Sequence, residues 1–309
     1  MKSNIILFFC VLLLGISITS CDYIDIPYPK KIPEDSLCAI FSFTANPLAV
    51  KKVLVEDYTG FHCVNCPKAG DELTSILASY PDKVIGMGVH VGSFADPNHA
   101  NSASAPVGSF TTDFRTSAGD KYDEIFKLST NRGTLPIGMV NRKDFDNASG
   151  THRKSFIKSP TWAEEVEALL VNPPDIDLQI HNDYNDVSKN LCTQIYARFL
   201  NPLSGTYKLV VLLMQDSIKN WQEDGSSIVE NYWHRHVLRA SINSSDGMGV
   251  KIPNSGSITQ DLVVTAKWAY IIPADIKHIP CDPSKCHVVA FIYNATNLEI
   301  LQVEEEKVK

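Results

Sequence analysis

Cys63 and Cys66, three positions apart, are the residues of this chain with the plainest chemistry. A thiolate is a nucleophile, and two cysteines one helical turn apart can close on each other. They stand in the stretch Val53-Leu-Val-Glu-Asp-Tyr-Thr-Gly-Phe-His-Cys-Val-Asn-Cys-Pro67. The apolar run Val53 to Val55 predicts a strand covered on both faces, and Thr59 and Gly60 break it. Pro67 suits a first helical turn, whose N–H groups lack internal partners. Ala69, Leu73, Ile76, Leu77 and Tyr80 then recur at helical spacing and predict an amphipathic helix. A helix N-terminus favours negative charge. Cys63 is therefore the expected attacking thiolate, the more exposed of the two, and Cys66 the shielded resolving thiol.

The order of elements extends the pattern. After the C-x-x-C helix comes a second strand, Lys83 to Val91, and later Gly133-Thr-Leu-Pro-Ile-Gly-Met-Val140. This arrangement resembles the thioredoxin superfamily. The resemblance implies an α/β fold, a cis bond at Leu135–Pro136 beside the sulfurs, and thiol–disulfide exchange with no cofactor beyond the Cys63–Cys66 disulfide. It also implies that Asp57, six residues before Cys63, accepts the proton of Cys66, although neighbouring Glu56 leaves the register open. The plainer reading has Asp57 hydrogen-bonding the turn. His62 stands where thioredoxins carry Trp, and Val64-Asn65 where they carry Gly-Pro, so the direction of exchange does not carry over. A purely structural disulfide, usual in oxidising compartments, is the alternative. A zinc site of Cys63, Cys66 and His62 lacks the second C-x-x-C or His pair it would need.

The N-terminus supplies the compartment. Lys2 precedes an apolar run from Ile5 to Ile18, which ends in Ile18-Thr-Ser-Cys21. That is a signal peptide over 1–20 with a lipobox-like end, Cys21 being the lipidated residue; an ordinary signal peptide with a nearby cleavage site is the alternative. Several acyl chains on Cys21 would anchor the chain stably. The lipobox, the segment around Cys63 and a strand-rich second half containing Trp233-His-Arg-His-Val-Leu-Arg239 together resemble the 28-kilodalton outer-membrane lipoprotein family of Bacteroidetes. This resemblance implies location and domain plan, a lipid-anchored outer-membrane protein on the periplasmic or cell-surface face; it is the thioredoxin-like C-x-x-C that implies envelope protein thiols or disulfides as substrates. The alternative is a non-enzymatic surface protein for binding or structure that retains the thioredoxin scaffold.

The 309 residues suggest two domains of ordinary size, and 44% hydrophobic with 20% charged residues permits a sizeable core. A formal net charge of −7, without any basic run, argues against a nucleic-acid partner. Residues 21–48, with four prolines, read as a lipid-anchored tether. Residues 49–172 form the thioredoxin-like domain, interrupted at about 92–132 by an insertion that is either a lid beside Cys63 or a decoration. Tyr122, Ile125, Phe126 and Leu128 predict a short helix within it. Thr161 and Glu164 have capping-box spacing before the domain's last helix. Asn172-Pro-Pro174 marks the boundary. From 173 to 309 about seven strand-like runs predict an all-β, immunoglobulin-like sandwich with its own core.

The chain holds eight cysteines. Setting aside Cys10 in the signal and Cys21 under lipid, three candidate pairs remain. Cys281 and Cys286 bracket a turn and are candidates for a small structural loop. Cys38 and Cys192 are candidates to tie the tether to the second domain, unless Cys192 is free and buried. His234 and His236, two apart on a run predicted as one strand from Tyr232 to Ile242, would share a face. That geometry can hold a metal, but more ligands would be required than lie beside them.

Overall fold

The computed structural model describes residues 38–99, 105–126, 135–143, 161–254 and 256–309. The signal peptide, the lipidation candidate Cys21 and most of the tether lie outside the described residues. So do Leu128 and parts of the 92–132 insertion.

The Val53 run becomes β1 (Val53–Thr59), buried from Val53 to Tyr58. It pairs in parallel with β2 (Val84–His90), buried throughout, and antiparallel with β3 (Ile137–Val140). Leu135–Pro136, just before β3, is a cis bond. Strands buried on both faces need a layer on each side. On one side lie α1 (Cys66–Ser79) and α3 (Trp162–Leu170), whose Ala69, Leu73, Ile76, Trp162 and Val166 pack on Val53, Val55 and Val84. Thr161 and Glu164 form the capping box at the start of α3. The glycine at 138 lets Trp162 lie on β3, since a Cβ there would sit 2.2 Å from the indole ring.

The opposite face is where the molecule departs from the expected plan. It packs on α2 (Ser117–Phe126) and on strands from the second half of the chain. Those strands are β4 (Ile176–Asn185), β5 (Asn190–Phe199), β6 (Tyr207–Gln215), β7 (Ile218–Asp224), β8 (Ser227–His234), β9 (Val237–Ser241), β10 (Val250–Ile252), β11 (Val263–Ile271), β12 (Asp275–Ile276), β13 (Ile279–Pro280), β14 (Cys286–Asn294) and β15 (Ile300–Lys307). The main sheet runs β15-β14-β6-β9-β2-β1-β3, with β10 beside β6. It therefore crosses the boundary drawn at residue 173. The seam is narrow: β9 meets β2 in parallel at the single pair Gly88 and Val237, and the Gly88 N–H donates to the His236 carbonyl at 2.7 Å.

A second sheet, β11-β5-β4, packs face to face on the β6–β14 part of the first, with Ile176, Leu191, Ile195 and Phe199 against Leu209, Val211, Leu213 and Ile292. Two sheets do face each other in this half, but the larger one is shared with the first half rather than closed on itself. The run Leu209-Val-Val-Leu-Leu-Met214 is buried at every position. Alternate residues fill the core under β4 and β5, while Val210, Leu212 and Met214 fill the core shared with β1 and β2.

The run from Tyr232 to Ile242 is two strands rather than one. β8 ends at His234 and β9 starts at Val237, with His236 at φ 51° between them. β7 and β8 form a hairpin closed at Gly225 (φ 58°) and Ser226. The segment from Cys38 lies across β4 and β5. Cys38 is disulfide-bonded to Cys192, with Cα atoms 5.5 Å apart, and Phe41 stacks on His181. Among the described residues no helix is long and apolar enough to cross a membrane.

Candidate functional site

Cys63 and Cys66 form a disulfide with Cα atoms 5.4 Å apart. The helix starts at Cys66, with Asn65 as its cap, so only Cys66 stands in the first helical turn. Cys63 sits in the turn before it, its N–H donating to the Gly60 carbonyl at 3.0 Å while its carbonyl accepts the Cys66 N–H at 3.1 Å. The expected exposure of Cys63 is not found. The two cysteines are 2% and 3% exposed.

The β7–β8 hairpin is what covers them. The Glu223 N–H donates to the Phe61 carbonyl at 2.8 Å, and the Gly225 N–H to the Val64 carbonyl at 2.9 Å. Gln222, itself 2% exposed, places its amide Nε2 against the carbonyls of Cys63 (3.1 Å), Gly60 (3.4 Å) and Glu223 (2.9 Å). An extended strand of the chain's own second half thus lies along the C-x-x-C loop and uses its backbone acceptors. From the other side, the His62 N–H donates to the Phe94 carbonyl at 3.0 Å, and Phe61 packs on Phe110 and Phe114. Part of the 92–132 insertion is therefore packed against the loop. The sequence reading missed the hairpin and Gln222. The signal present was Asp224-Gly225, a strong short-range hairpin marker between two runs of extended character.

Behind the disulfide is a cavity of about 260 Å³ lined by Asp57, Cys66, Gly70, His90, Gln222 and Tyr232, among others. Asp57 and Glu56, ambiguous in sequence, separate here. Glu56 is fully buried in an ion pair with Arg142, its Oε1 2.6 Å from Nη2 and its Oε2 2.9 Å from Nε. Burial alone would lower the Arg142 pKa, but Glu56 holds it above its ordinary value. Asp57 faces the cavity that Cys66 lines; its Oδ1 has no hydrogen-bond partner, and burial pushes its pKa up to about 7. Leu135, just before Pro136, shares an apolar cluster with Cys63, Cys66 and Tyr58. The residues of the expected site therefore converge, with the hairpin laid over them.

The remaining candidates are scattered. His234 is buried, its ring 5.4 Å from His90, and burial pushes its pKa down to about 4. His236 lies beyond the strand end and has its Nδ1 3.3 Å from Asp216. The left-handed conformation of His236 breaks the alternation that would have placed both on one face. His62 pairs through Nδ1 with Glu223 at 3.2 Å; burial lowers its pKa while Glu223 opposes the shift. Among the described residues no group of three or more His, Cys, Asp or Glu is placed to hold a metal. Cys281 and Cys286, the expected structural loop, are not bonded; their sulfurs are 3.8 Å apart.

Comparison with known proteins bears on this geometry in three ways. No curated protein matches the chain. Among solved structures, HBP35 of Porphyromonas gingivalis is similar over 84% of this chain and 76% of that one, at 15% identity and a TM-score of 0.59. A protein from Agrobacterium tumefaciens matches over 84% of this chain and 96% of that one at 13% identity, with a TM-score of 0.48. A domain of the outer membrane lipoprotein Omp28 from Porphyromonas gingivalis matches over 44% of this chain and 89% of that one at 15% identity, with a TM-score of 0.32. At these identities the likeness to HBP35 is one of fold. The family model described as outer membrane protein Omp28 matches residues 120–309, which contain the covering hairpin, both sheets of the second half and α3. On that match, which spans well over half of its length, the chain belongs to the Omp28 family of outer membrane proteins.

Proposed function

We propose that this chain is a lipid-anchored outer-membrane protein with a non-enzymatic binding or structural role. In this reading a thioredoxin-like layer serves as scaffold, and Cys63–Cys66 is a structural crosslink. One observation carries the reading: a disulfide 2–3% exposed, under a hairpin that bonds the loop's backbone. The parallel β1–β2 pair, the helix after the C-x-x-C and β3 behind Pro136 support the thioredoxin-like reading of the layer. The shared main sheet supports reading the second half as a partner layer of that scaffold.

A redox titration of the intact protein tests the role of the disulfide. Structural disulfides have potentials below about −300 mV, and that is the expected result; a midpoint between about −270 and −120 mV would place the pair among exchange catalysts. The lipid anchor is tested by fractionation. Cys21→Ala is expected to leave the membrane fraction, and unchanged membrane association would sink the anchor.

One observation favours the rival reading, thiol–disulfide exchange with envelope proteins. Asp57 lines the same cavity as Cys66 with its carboxyl held near neutrality, the property a proton acceptor for the resolving thiol requires. Exchange would need the hairpin to leave first. Under that reading, Cys66→Ser accumulates mixed disulfides through Cys63; under the structural reading it accumulates none.

A further inference from the structure

Away from the C-x-x-C, the loop between β13 and β14 carries a second pair of thiols. Cys281 and Cys286 flank Asp282-Pro-Ser-Lys285, a turn fixed by the Ser284 N–H donating to Asp282 at 2.9 Å. The sulfurs are 3.8 Å apart, within hydrogen-bonding contact. Cys281 is 8% exposed and Cys286 1%. Arg239 of β9 is 3% exposed, and its charge acts on both sulfurs. Its Nη2 donates to the carbonyls of Ile276 (3.2 Å) and Ile279 (3.0 Å), while Nη1 has no partner. This buried guanidinium has neutral acceptors on Nη2 and none on Nη1, so negative charge close by is favoured. The two sulfurs act on the guanidinium most strongly, ahead of Tyr270 and Asp275.

We propose that Cys281 and Cys286 are a redox-responsive modification site, a dithiol activated by Arg239 that closes to a disulfide by exchange with a disulfide oxidant. The contact between the sulfurs, in which either thiol can donate, and the Arg239 charge lower the Cys281 pKa against the opposing effect of burial. The same contact, together with burial, raises Cys286. The roles follow from exposure, Cys281 being the more accessible sulfur and Cys286 the one behind it. The Cys281 thiolate attacks the oxidant RS–SR, forming a mixed disulfide and releasing RS⁻. Cys286 then gives up its proton and attacks the Cys281 sulfur, releasing the second RS⁻. Two protein thiols are oxidised and one small disulfide is reduced to two thiols. Access is available on the Cys281 side, because its neighbours Pro280 and Asp282 line a cleft of about 480 Å³ shared with Lys285 and the half-exposed Trp233. The site is independent of the role proposed for Cys63–Cys66.

The test incubates the intact folded protein with oxidised glutathione, quenches with acid, alkylates and maps the cysteines by mass spectrometry. Cys281 and Cys286 are expected to lose alkylation together, their peptide becoming two hydrogens lighter. Cys286→Ser should accumulate glutathione on Cys281, and Cys281→Ser far less on Cys286. Arg239→Gln should slow the reaction about threefold for each unit by which the Cys281 pKa rises, because lost thiolate is partly offset by greater nucleophilicity. Arg239→Lys should restore the rate. A merely structural Arg239 would change unfolding without changing this rate. Thiols that stay fully alkylatable in the folded protein would overturn the proposal, as would a variant Arg239→Gln that reacts as fast as the parent. Should Arg239→Gln not fold, the labelling order in the parent protein decides: iodoacetamide must modify Cys281 before Cys286, and the reverse or equal order overturns the assignment.

Discussion

Asp57 is a carboxyl group in a place that disfavours its charge. It is 5% exposed, in β1 between Gly88 and Gly138 of the neighbouring strands, with one oxygen unpartnered. Burial raises its pKa to about 7, far above the ordinary carboxylate value. The folded state therefore keeps a proton that the unfolded chain releases near pH 4. The stability due to that proton is complete below pH 4 and is lost as the pH rises through about 7. A shift of that size corresponds to about 4 kcal/mol once the group is ionised in both states. Asp57→Asn is expected to gain stability over the parent by a few kcal/mol at pH 8 and by little at pH 4. Urea unfolding of the two proteins at both pH values measures the difference. Comparison between variants cancels the opposite trend from His90 and His234, whose buried neutral rings cost stability as the pH falls. An equal gain at both pH values would show that Asp57 is not the titrating group.

Among the elements, the β7–β8 hairpin decides what the cysteines can do. Its hold on the C-x-x-C loop is made of few bonds, two from the backbone and those of the Gln222 amide. Replacing Gln222 by Met keeps the length but removes the donor, so the Gly60 and Cys63 carbonyls keep only their bonds from the Cys63 and Cys66 N–H groups and the hairpin loses its side-chain hold on the loop. Such a loss costs about 1–3 kcal/mol. If the disulfide is reached through local opening of the hairpin, reduction should accelerate about tenfold for each 1.4 kcal/mol lost. Gln222→Met is therefore expected to be reduced by dithiothreitol about ten- to a hundredfold faster than the parent. An unchanged reduction rate in a measurably destabilised variant would mean that the hairpin is not the cover.

In the whole molecule, the two halves of the chain share one sheet and one core. Glu56 and Arg142 show how tightly. The pair is fully buried, and the guanidinium lies 4.5 Å from the Tyr122 ring centroid and 5.0 Å from that of Phe291. One ion pair thus touches β1, the turn after β3, α2 and β14. Removing one partner of a buried pair costs about 3–5 kcal/mol because the other charge is left uncompensated. Glu56→Gln should lose that much in both halves together. Hydrogen exchange read separately on β1 and on β14 checks this, and a loss confined to β1 would mean that the halves unfold independently.

The local pattern of the sequence determined much of this protein. The strand at Val53, the helix that opens at Cys66, the capping box of Thr161 and Glu164, and most strands of the second half are set by periodicity and turn residues. Those signals act within a few residues and survive in any tertiary context. The pairing of remote elements was decided only by the tertiary structure. That Glu56 takes Arg142 and Asp57 takes the cavity depends on which face of β1 meets which layer, and in a strand buried on both faces no alternation distinguishes them. That β9 joins β2 depends on a single bridge at Gly88, too small to mark the sequence. The unbroken apolar run of β6 announced burial on both faces but could not name the two covering layers. The exposure of Cys63, which its place before a helix predicted, was reversed by backbone hydrogen bonds from residues about 160 positions away. Backbone donors carry no side-chain signature, so a strand laid over a reactive loop cannot be read in the loop it covers.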